Sequence, residues 1–437
     1  MKPRLLMTAA LAAVLVAPFG LGSAQAQTAR ISIQPDERQG PATPEVLGGF
    51  NFGNWMQMSE FGEQMGTGVP PATLRFPGGN VGDDTDVTPF QLDTLVANLQ
   101  LLGVKPTPSL MMQTRVFQAK VSEAPAHNTP EDAADAVRMT KERGLPVKYW
   151  EVGNEPDLFA TTRGDASWTA ERYCEVFRAQ AAAIRAVDPT LRITGPAVSG
   201  AVPDATRFTE TFLRGCGDVV DVLTWHIYPT AGDKPEAEAL ASVADVDALT
   251  QHYKEVLADP VRNPLGYQRK IGLGVTEYGL SWKTDRPIFL SDMPAAFWAV
   301  ETAIRLARSG VEVAHYFAYQ GVGFHGLLDI SGTPRPTFYA FRMLTQMRGD
   351  FVAVKSGAPE VWSHGVRQGK TLRVLVSNTA HAPRSIALQL PRSWKLRKAQ
   401  YFTGQMVETD QDPKSLKPAR ALKLPAQSMA LLEFVPR

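Results

Sequence analysis

Between about Val46 and Gly349, short β-rich apolar runs alternate with segments whose apolar residues recur at helical spacing. That alternation predicts strand–helix units and a parallel α/β fold. Eight units can be counted, with strands at 47–52, 73–76, 105–110, 147–152, 192–195, 222–226, 271–276 and 311–317. Helices fall between them, among them 89–102, 130–143, 168–187, 208–214 and 294–308. Several open on cap signals such as Asn128-Thr129-Pro130-Glu131-Asp132, with Pro early in the helix and acids in its first turn. Eight units in this span fit a (β/α)8 TIM barrel over residues 41–349. No Gly-rich phosphate loop follows the first strand, which disfavours a doubly wound sheet.

Beyond Gly349 the pattern changes to short strands at 371–376, 385–390, 398–402 and 429–434, separated by turn residues. This is the signature of a C-terminal β-sandwich over residues 350–437. The run 30–33, within an N-terminal segment 27–40, precedes the barrel and has nowhere to pair inside it, so it is expected to join the C-terminal sheet.

The first residues carry Lys2 and Arg4, an apolar stretch from Leu5 broken by Pro18, and then Ser23-Ala24-Gln25-Ala26. That order predicts a secretory signal over 1–26 and an exported protein, periplasmic or secreted. No later segment supplies the roughly 20 uninterrupted apolar residues of a membrane span, so no membrane association is expected after signal cleavage. Charge is nearly balanced at a formal +1 with no long run of either sign, which argues against nucleic acid as a partner. Cys174 and Cys216 could pair in an oxidising compartment, but both lie on helices expected at opposite ends of the barrel, which counts against it and leaves the pairing open. The seven histidines lack ligand spacing, so neither a metal site nor a cofactor is expected. No Gly-x-Ser-x-Gly elbow occurs, and neither cysteine lies at a strand end.

Catalytic groups of TIM barrels gather at the carboxyl ends of the strands. The fourth strand runs through Glu151 into Asn154-Glu155-Pro156, and the seventh ends in Glu277-Tyr278-Gly279. Two carboxylates from opposite walls of a narrow barrel can face each other across a cleft, and glycosidic cleavage uses such a pair. Either glutamate alone reads equally well as a solvent-facing strand end; the two together at these ordinals argue for catalysis. Glu151 shares the inward parity of Glu155 and is the rival acid, but its position below the strand end favours a buried structural role.

These segments resemble the clan A glycoside hydrolases. Trp150-Glu151-Val152-Gly153-Asn154-Glu155-Pro156 is similar to that clan's strand-four motif, and Val275-Thr276-Glu277-Tyr278-Gly279 to its strand-seven motif. Leu74-Arg75-Phe76-Pro77-Gly78-Gly79-Asn80 is similar to the strand-two motif of the α-L-arabinofuranosidase branch, whose Arg supports the nucleophile. Thr224-Trp225-His226-Ile227-Tyr228-Pro229 resembles the strand-six His-x-Tyr of the β-xylosidase and α-L-iduronidase branch, and Gly326-Leu327-Leu328-Asp329 with Pro334-Arg335-Pro336 the entry to its eighth helix.

The resemblance implies a retaining glycoside hydrolase acting on an oligosaccharide or polysaccharide, with Glu155 as acid/base and Glu277 as nucleophile. Arg75 and Tyr228 are expected to donate to Glu277 and favour its ionised form. Asn154 is expected to donate to the sugar 2-hydroxyl, with Asn80 and His226 also on the substrate. Many clan members end strand eight in a Trp platform, where this chain has Tyr316-Phe317-Ala318-Tyr319; Tyr319 and Trp282 are the candidate platforms. The alternatives are an endo-acting hydrolase of an exopolysaccharide, which depends on whether loops 111–128 and 285–293 close the cleft, and a non-catalytic polysaccharide-binding barrel, against which the intact pair of carboxylates counts.

Overall fold

The computed structural model describes residues 28–56, 62–118, 127–200, 203–283, 292–321, 323, 325–404, 414–416 and 421–437. The signal expected over 1–26 lies outside these residues, as do parts of the loops 111–128 and 285–293.

A closed barrel forms from eight parallel strands in chain order: β2 (Gly49–Asn51), β3 (Thr73–Phe76), β4 (Ser109–Thr114), β5 (Val147–Val152), β6 (Arg192–Val198), β7 (Val222–Ile227), β8 (Gly272–Tyr278) and β9 (Val313–Tyr316). Phe50 pairs with Tyr316 to close the ring. The (β/α)8 expectation is met strand for strand, with one displacement. The third strand starts at Ser109, beyond Pro106 and Pro108, because proline has no N–H to give to a ladder. Apolar side chains fill the spaces between strands and helices. Inside the barrel, toward the strand ends, the packing turns polar, and Asn51, Arg75, Glu151, Thr224, His226 and His315 are all fully buried.

The other nine strands make one continuous sheet: β1 (Ala29–Pro41), β10 (Asp350–Ser356), β11 (Val361–Gln368), β12 (Thr371–Asn378), β13 (Arg384–Gln389), β14 (Trp394–Thr403), β15 (Lys414–Leu416), β16 (Ala421–Leu424) and β17 (Ser428–Pro436). It encloses a core of its own that includes Ile31, Ile33, Val352, Val374 and Leu432, consistent with a C-terminal β-sandwich. Residues 30–33 lie in β1, antiparallel to β10 and parallel to β13. Ile31 and Ile33 face inward while Arg30 is exposed, the period-two alternation of a half-buried strand. Between the domains, Glu301 of the helix Met293–Arg308 meets His364 of β11 at 2.7 Å.

Cys174 and Cys216 form a disulfide with their Cα atoms 5.9 Å apart, which corrects the expectation that they lie at opposite ends of the barrel. The helix Pro203–Cys216 instead ends beside the first turns of Ala170–Val187. The chain then descends along the lower half of the longer helix, where Arg178 holds Asp218 and Arg185 holds Asp221. The bond spans 42 residues, and constraining such a loop in the unfolded chain contributes about 2–4 kcal/mol. Reduction, or Cys174→Ser with Cys216→Ser, is expected to lower the urea stability by that amount; an unchanged midpoint would show that the crosslink adds nothing.

Candidate active site

Arg75, on β3, points into the barrel and is fully buried. A buried guanidinium persists only where its donors are answered. Its Nε donates to Glu151 at 2.5 Å, and one terminal nitrogen donates to Glu277 at 2.8 Å and Asn51 at 3.0 Å. The other donates to Asn154 at 2.8 Å. Asn51 is fixed in turn by donating to the carbonyl of Thr276 at 2.9 Å. The turn after β3 uses Gly78 at φ +75° and Gly79 at φ +60°. A Cβ on Gly79 would stand 3.5 Å from a Glu277 oxygen and 3.4 Å from the Phe317 ring, so the glycine keeps this wall of the cleft open.

Glu277, on β8, accepts from Arg75 through one oxygen and from the Tyr228 hydroxyl through the other, at 2.8 Å each. Burial pushes its carboxyl up, but His226, Arg75 and Tyr228 outweigh burial and hold it below the usual carboxylate range. Glu155 lies just past β5 in a left-handed conformation, φ 46° and ψ 48°, which costs a residue with a Cβ about 1–2 kcal/mol. Its N–H donates to Ala197 at 2.9 Å, which fixes the turn. Its carboxylate lies 2.9 Å from His226 Nδ1, and its side chain is 17% exposed. One ligand-type atom each from Glu155, His226 and Glu277 lies within 4.8 Å of the others. One oxygen of the Glu155 carboxylate therefore lies within 4.8 Å of one of Glu277, close enough for the two to act on one glycosidic bond. Burial would lower the His226 pKa, but Glu277 and Glu155 outweigh it and raise it above the ordinary range. The three groups are spaced to hold a metal ion, yet both Glu277 oxygens already accept hydrogen bonds and the Arg75 charge beside them opposes a cation.

Two acids brace the turn that carries Glu155. Asp83 accepts from the N–H of Asn154 at 2.8 Å and of Val116 at 3.0 Å, and burial pushes its carboxyl up to about 7. Asp157 accepts from the Ser199 hydroxyl at 2.6 Å, and burial pushes it up to about 6. Neither is singled out by the sequence; their only signal is that they stand three residues after Asn80 and two after Glu155, where acids ordinarily read as loop polarity.

Of the other expected residues, Asn80 lies exposed at the rim with its oxygen 3.5 Å from the Asn154 amide nitrogen. Glu151 is fully buried between Arg75 and the Thr224 hydroxyl, below the pair. Trp282 is 54% exposed, with the Lys283 ammonium 4.3 Å over its ring.

Tyr319 is not a platform. It is fully buried, packs on Phe50 at 5.1 Å, and its hydroxyl donates to Val69 at 2.8 Å. The chain after β9 turns back so that the Tyr319 N–H bonds Asn51, which carries the ring into the core. The rings along the site are Trp55, Phe317, His325 and Tyr228, with successive centroids 6.0, 5.6 and 6.3 Å apart. The sequence reading did not choose Trp55, Phe317 or His325, which come together from the loops after β2 and β9.

The barrel thus brings two glutamates together at the ends of its fourth and seventh strands. Residues 136–381, more than half of the chain, match glycosyl hydrolases family 39, and the chain belongs to that family. The chain is similar to a β-xylosidase from Caldicellulosiruptor saccharolyticus, 25% identical over 322 residues that cover 66% of this chain and 63% of the relative. It is also similar to a heparanase from Mus musculus, 24% identical over 203 residues covering 46% of this chain and 37% of the relative. The matched stretch thus spans less than two thirds of either relative. Among solved structures, a family 51 α-L-arabinofuranosidase from Bifidobacterium longum superposes with a TM-score of 0.70 at 18% identity, covering 93% of this chain and 99% of that one. A monomeric β-xylosidase from Caulobacter crescentus gives 0.65 at 18% identity with the same coverage, and at these identities the likeness is one of fold.

Tyr228→Phe tests the electrostatics of Glu277. A hydrogen bond to a charged group contributes about 1.5–3 kcal/mol, so its loss should raise the Glu277 pKa by about 1–2 units. A group required in ionised form then fails at higher pH, and the acid limb of kcat/KM should move up. A limb that stays in place would mean that Tyr228 does not stabilise the Glu277 anion.

Proposed function

We propose that Glu277 attacks the anomeric carbon while Glu155 protonates the departing glycosidic oxygen, and that Glu155 then takes a proton from the water that releases the sugar. The observation that carries this reading is the approach of Glu155, His226 and Glu277 to within 4.8 Å of one another. Glu277 has the environment of a nucleophile, since Arg75 and Tyr228 favour its anion. Glu155 suits an acid/base, since it is partly exposed and faces Glu277 across the cleft, with the His226 ring to orient its carboxyl group. Asn154 gives its oxygen to Arg75, which leaves its amide nitrogen oriented to donate to the sugar 2-hydroxyl. Phe317 and His325 offer apolar faces to the sugar ring, with Asn80 at the rim and Trp282 at the mouth for a further sugar unit.

The first substrates to test are β-xylosides, a choice supported by the β-xylosidase relatives. Export is proposed as well. It rests on the N-terminal signal pattern and on the Cys174–Cys216 disulfide, which suits an oxidising compartment.

The two glutamates should fail differently. Glu277→Ala should abolish turnover of aryl and alkyl glycosides alike, because no intermediate can form. Glu155→Ala should lose about 10²–10⁴-fold on poor leaving groups, yet still form the intermediate from an activated aryl glycoside. Azide should then restore turnover of Glu155→Ala and give a glycosyl azide of retained configuration. Rescue of Glu277→Ala with inverted product would exchange the two roles, and full activity in both variants would end this reading.

A further inference from the structure

The guanidinium of Arg75 serves two carboxylates. Its Nε bonds Glu151 at 2.5 Å and a terminal nitrogen bonds Glu277 at 2.8 Å, with Arg75 and Glu151 fully buried and Glu277 nearly so. A cation shared in this way stabilises the Glu277 anion less than one committed to it alone. The Glu151 charge also opposes that anion through a core where solvent screens little. Glu151 has no opening to the cleft, since one oxygen is filled by Arg75 and the other by the Thr224 hydroxyl at 3.1 Å.

Resting on the reading of Glu277 as nucleophile, we propose that Glu151 is a positioning residue that draws part of the Arg75 charge away from Glu277. It thereby keeps Glu277 basic enough to attack and sets the balance between forming and breaking the glycosyl-enzyme.

The two steps place opposite demands on Glu277. In the first, a Glu277 oxygen gives an electron pair to the anomeric carbon as the bond to the leaving oxygen breaks, and that oxygen takes the Glu155 proton. In the second, the new ester bond breaks, its electron pair returns to Glu277, and a water oxygen bonds the carbon as its proton passes to Glu155. A more basic carboxylate speeds the first step and slows the second. The charged and titratable groups facing Glu277 are Arg75 on β3, Glu155 after β5, His226 and Tyr228 from β7 and its loop, and at longer range His325. Those facing Glu151 are Arg75 and, at longer range, Tyr173. Among the described residues, the carboxylates in contact with Arg75 are Glu151 and Glu277, so removing the Glu151 charge transfers its share to Glu277.

Glu151→Gln is nearly isosteric. Its amide oxygen can accept from Arg75 Nε, and its nitrogen can donate to Thr224. In unliganded protein labelled with ¹³C at the Glu carboxyl carbons, the Glu277 resonance, assigned through Glu277→Gln, should titrate about one pH unit lower or more in this variant. With 2,4-dinitrophenyl β-xyloside, or the arabinofuranoside or glucuronide that wild type turns over faster, glycosylation should slow while deglycosylation speeds up. The pre-steady-state burst should then shrink. Thr224→Val leaves the Glu151 charge in place and removes the hydroxyl that shares it. It should move the Glu277 titration the other way, and it stands as the test if Glu151→Gln does not fold. An unmoved Glu277 titration, or equal slowing of both steps, would overturn the proposal. Trapping with a 2-deoxy-2-fluoro glycoside and peptide mapping separates the two readings. A label elsewhere than Glu277 in wild type refutes the nucleophile assignment, whereas a label on Glu277 with an unmoved titration refutes only the role of Glu151.

Discussion

One buried cation organises this molecule. Arg75 has no access to solvent, and its hydrogen bonds reach four groups: Glu151 of β5, Asn154 just past it, Glu277 of β8 and Asn51 of β2. Removing one partner of a buried ion pair typically costs about 3–5 kcal/mol, so the strands that carry these partners are held in register by an electrostatic requirement as well as by their ladders. The same requirement makes the site. Glu277 stays ionised in a place where burial alone would neutralise it, and the stability of the barrel and the chemistry of the cleft rest on the same side chain.

The second constraint is the backbone at the strand ends. Gly78, Gly79, Gly153, Glu155 and Ala197 all adopt positive φ, and four of the five lie in the turns after β3 and β5. For Glu155 and Ala197, which carry a Cβ, that conformation persists because the surroundings fix it. The Glu155 N–H is tied to Ala197, the Ala197 N–H to Thr224, and the Asn154 N–H to the buried Asp83. Asp83 and Asp157 are expensive to bury in ionised form, and their raised pKa values are the mark of that cost. They hold the backbone that aims Glu155 across the cleft, and so act on the chemistry through geometry.

What the sequence revealed follows from which features are local. Eight alternating units, the sandwich strands and the outward turn at each strand end are written in short-range periodicity, and strand ordinals were enough to single out Glu155 and Glu277. The misreadings concern packing between segments. Cys174 and Cys216 meet because one helix stops short of the other, which depends on where residues 217–221 go and not on helix periodicity. Tyr319 reads as a cleft aromatic until the chain is seen to fold back onto Asn51, and Phe317 then lines the cleft in its place. Asp83, Asp157 and His325 acquire meaning only through partners brought to them by other loops. The onset of β4 is the exception: Pro106 and Pro108 mark it plainly in the sequence.

The two domains are joined more closely than a linear reading of the chain suggests. The strand that precedes the barrel lies within the sheet that follows it, between β10 and β13, so the barrel is inserted into the sandwich and both of its ends are anchored in one sheet. Across the interface, Glu301 is a buried carboxylate. Burial pushes it up, but His364 of β11 and Arg305 of its own helix outweigh that and hold it below the usual range. A carboxyl with a depressed folded-state pKa contributes stability that is present above its unfolded pKa and is lost as pH falls through the folded one. The helix that carries Glu301, Met293–Arg308, connects β8 to β9, the strands that end at Glu277 and lead into Phe317. The sandwich therefore braces the barrel behind the strand that carries Glu277, and the bond between them weakens in acid, on the same side of the pH scale on which Glu277 loses its charge.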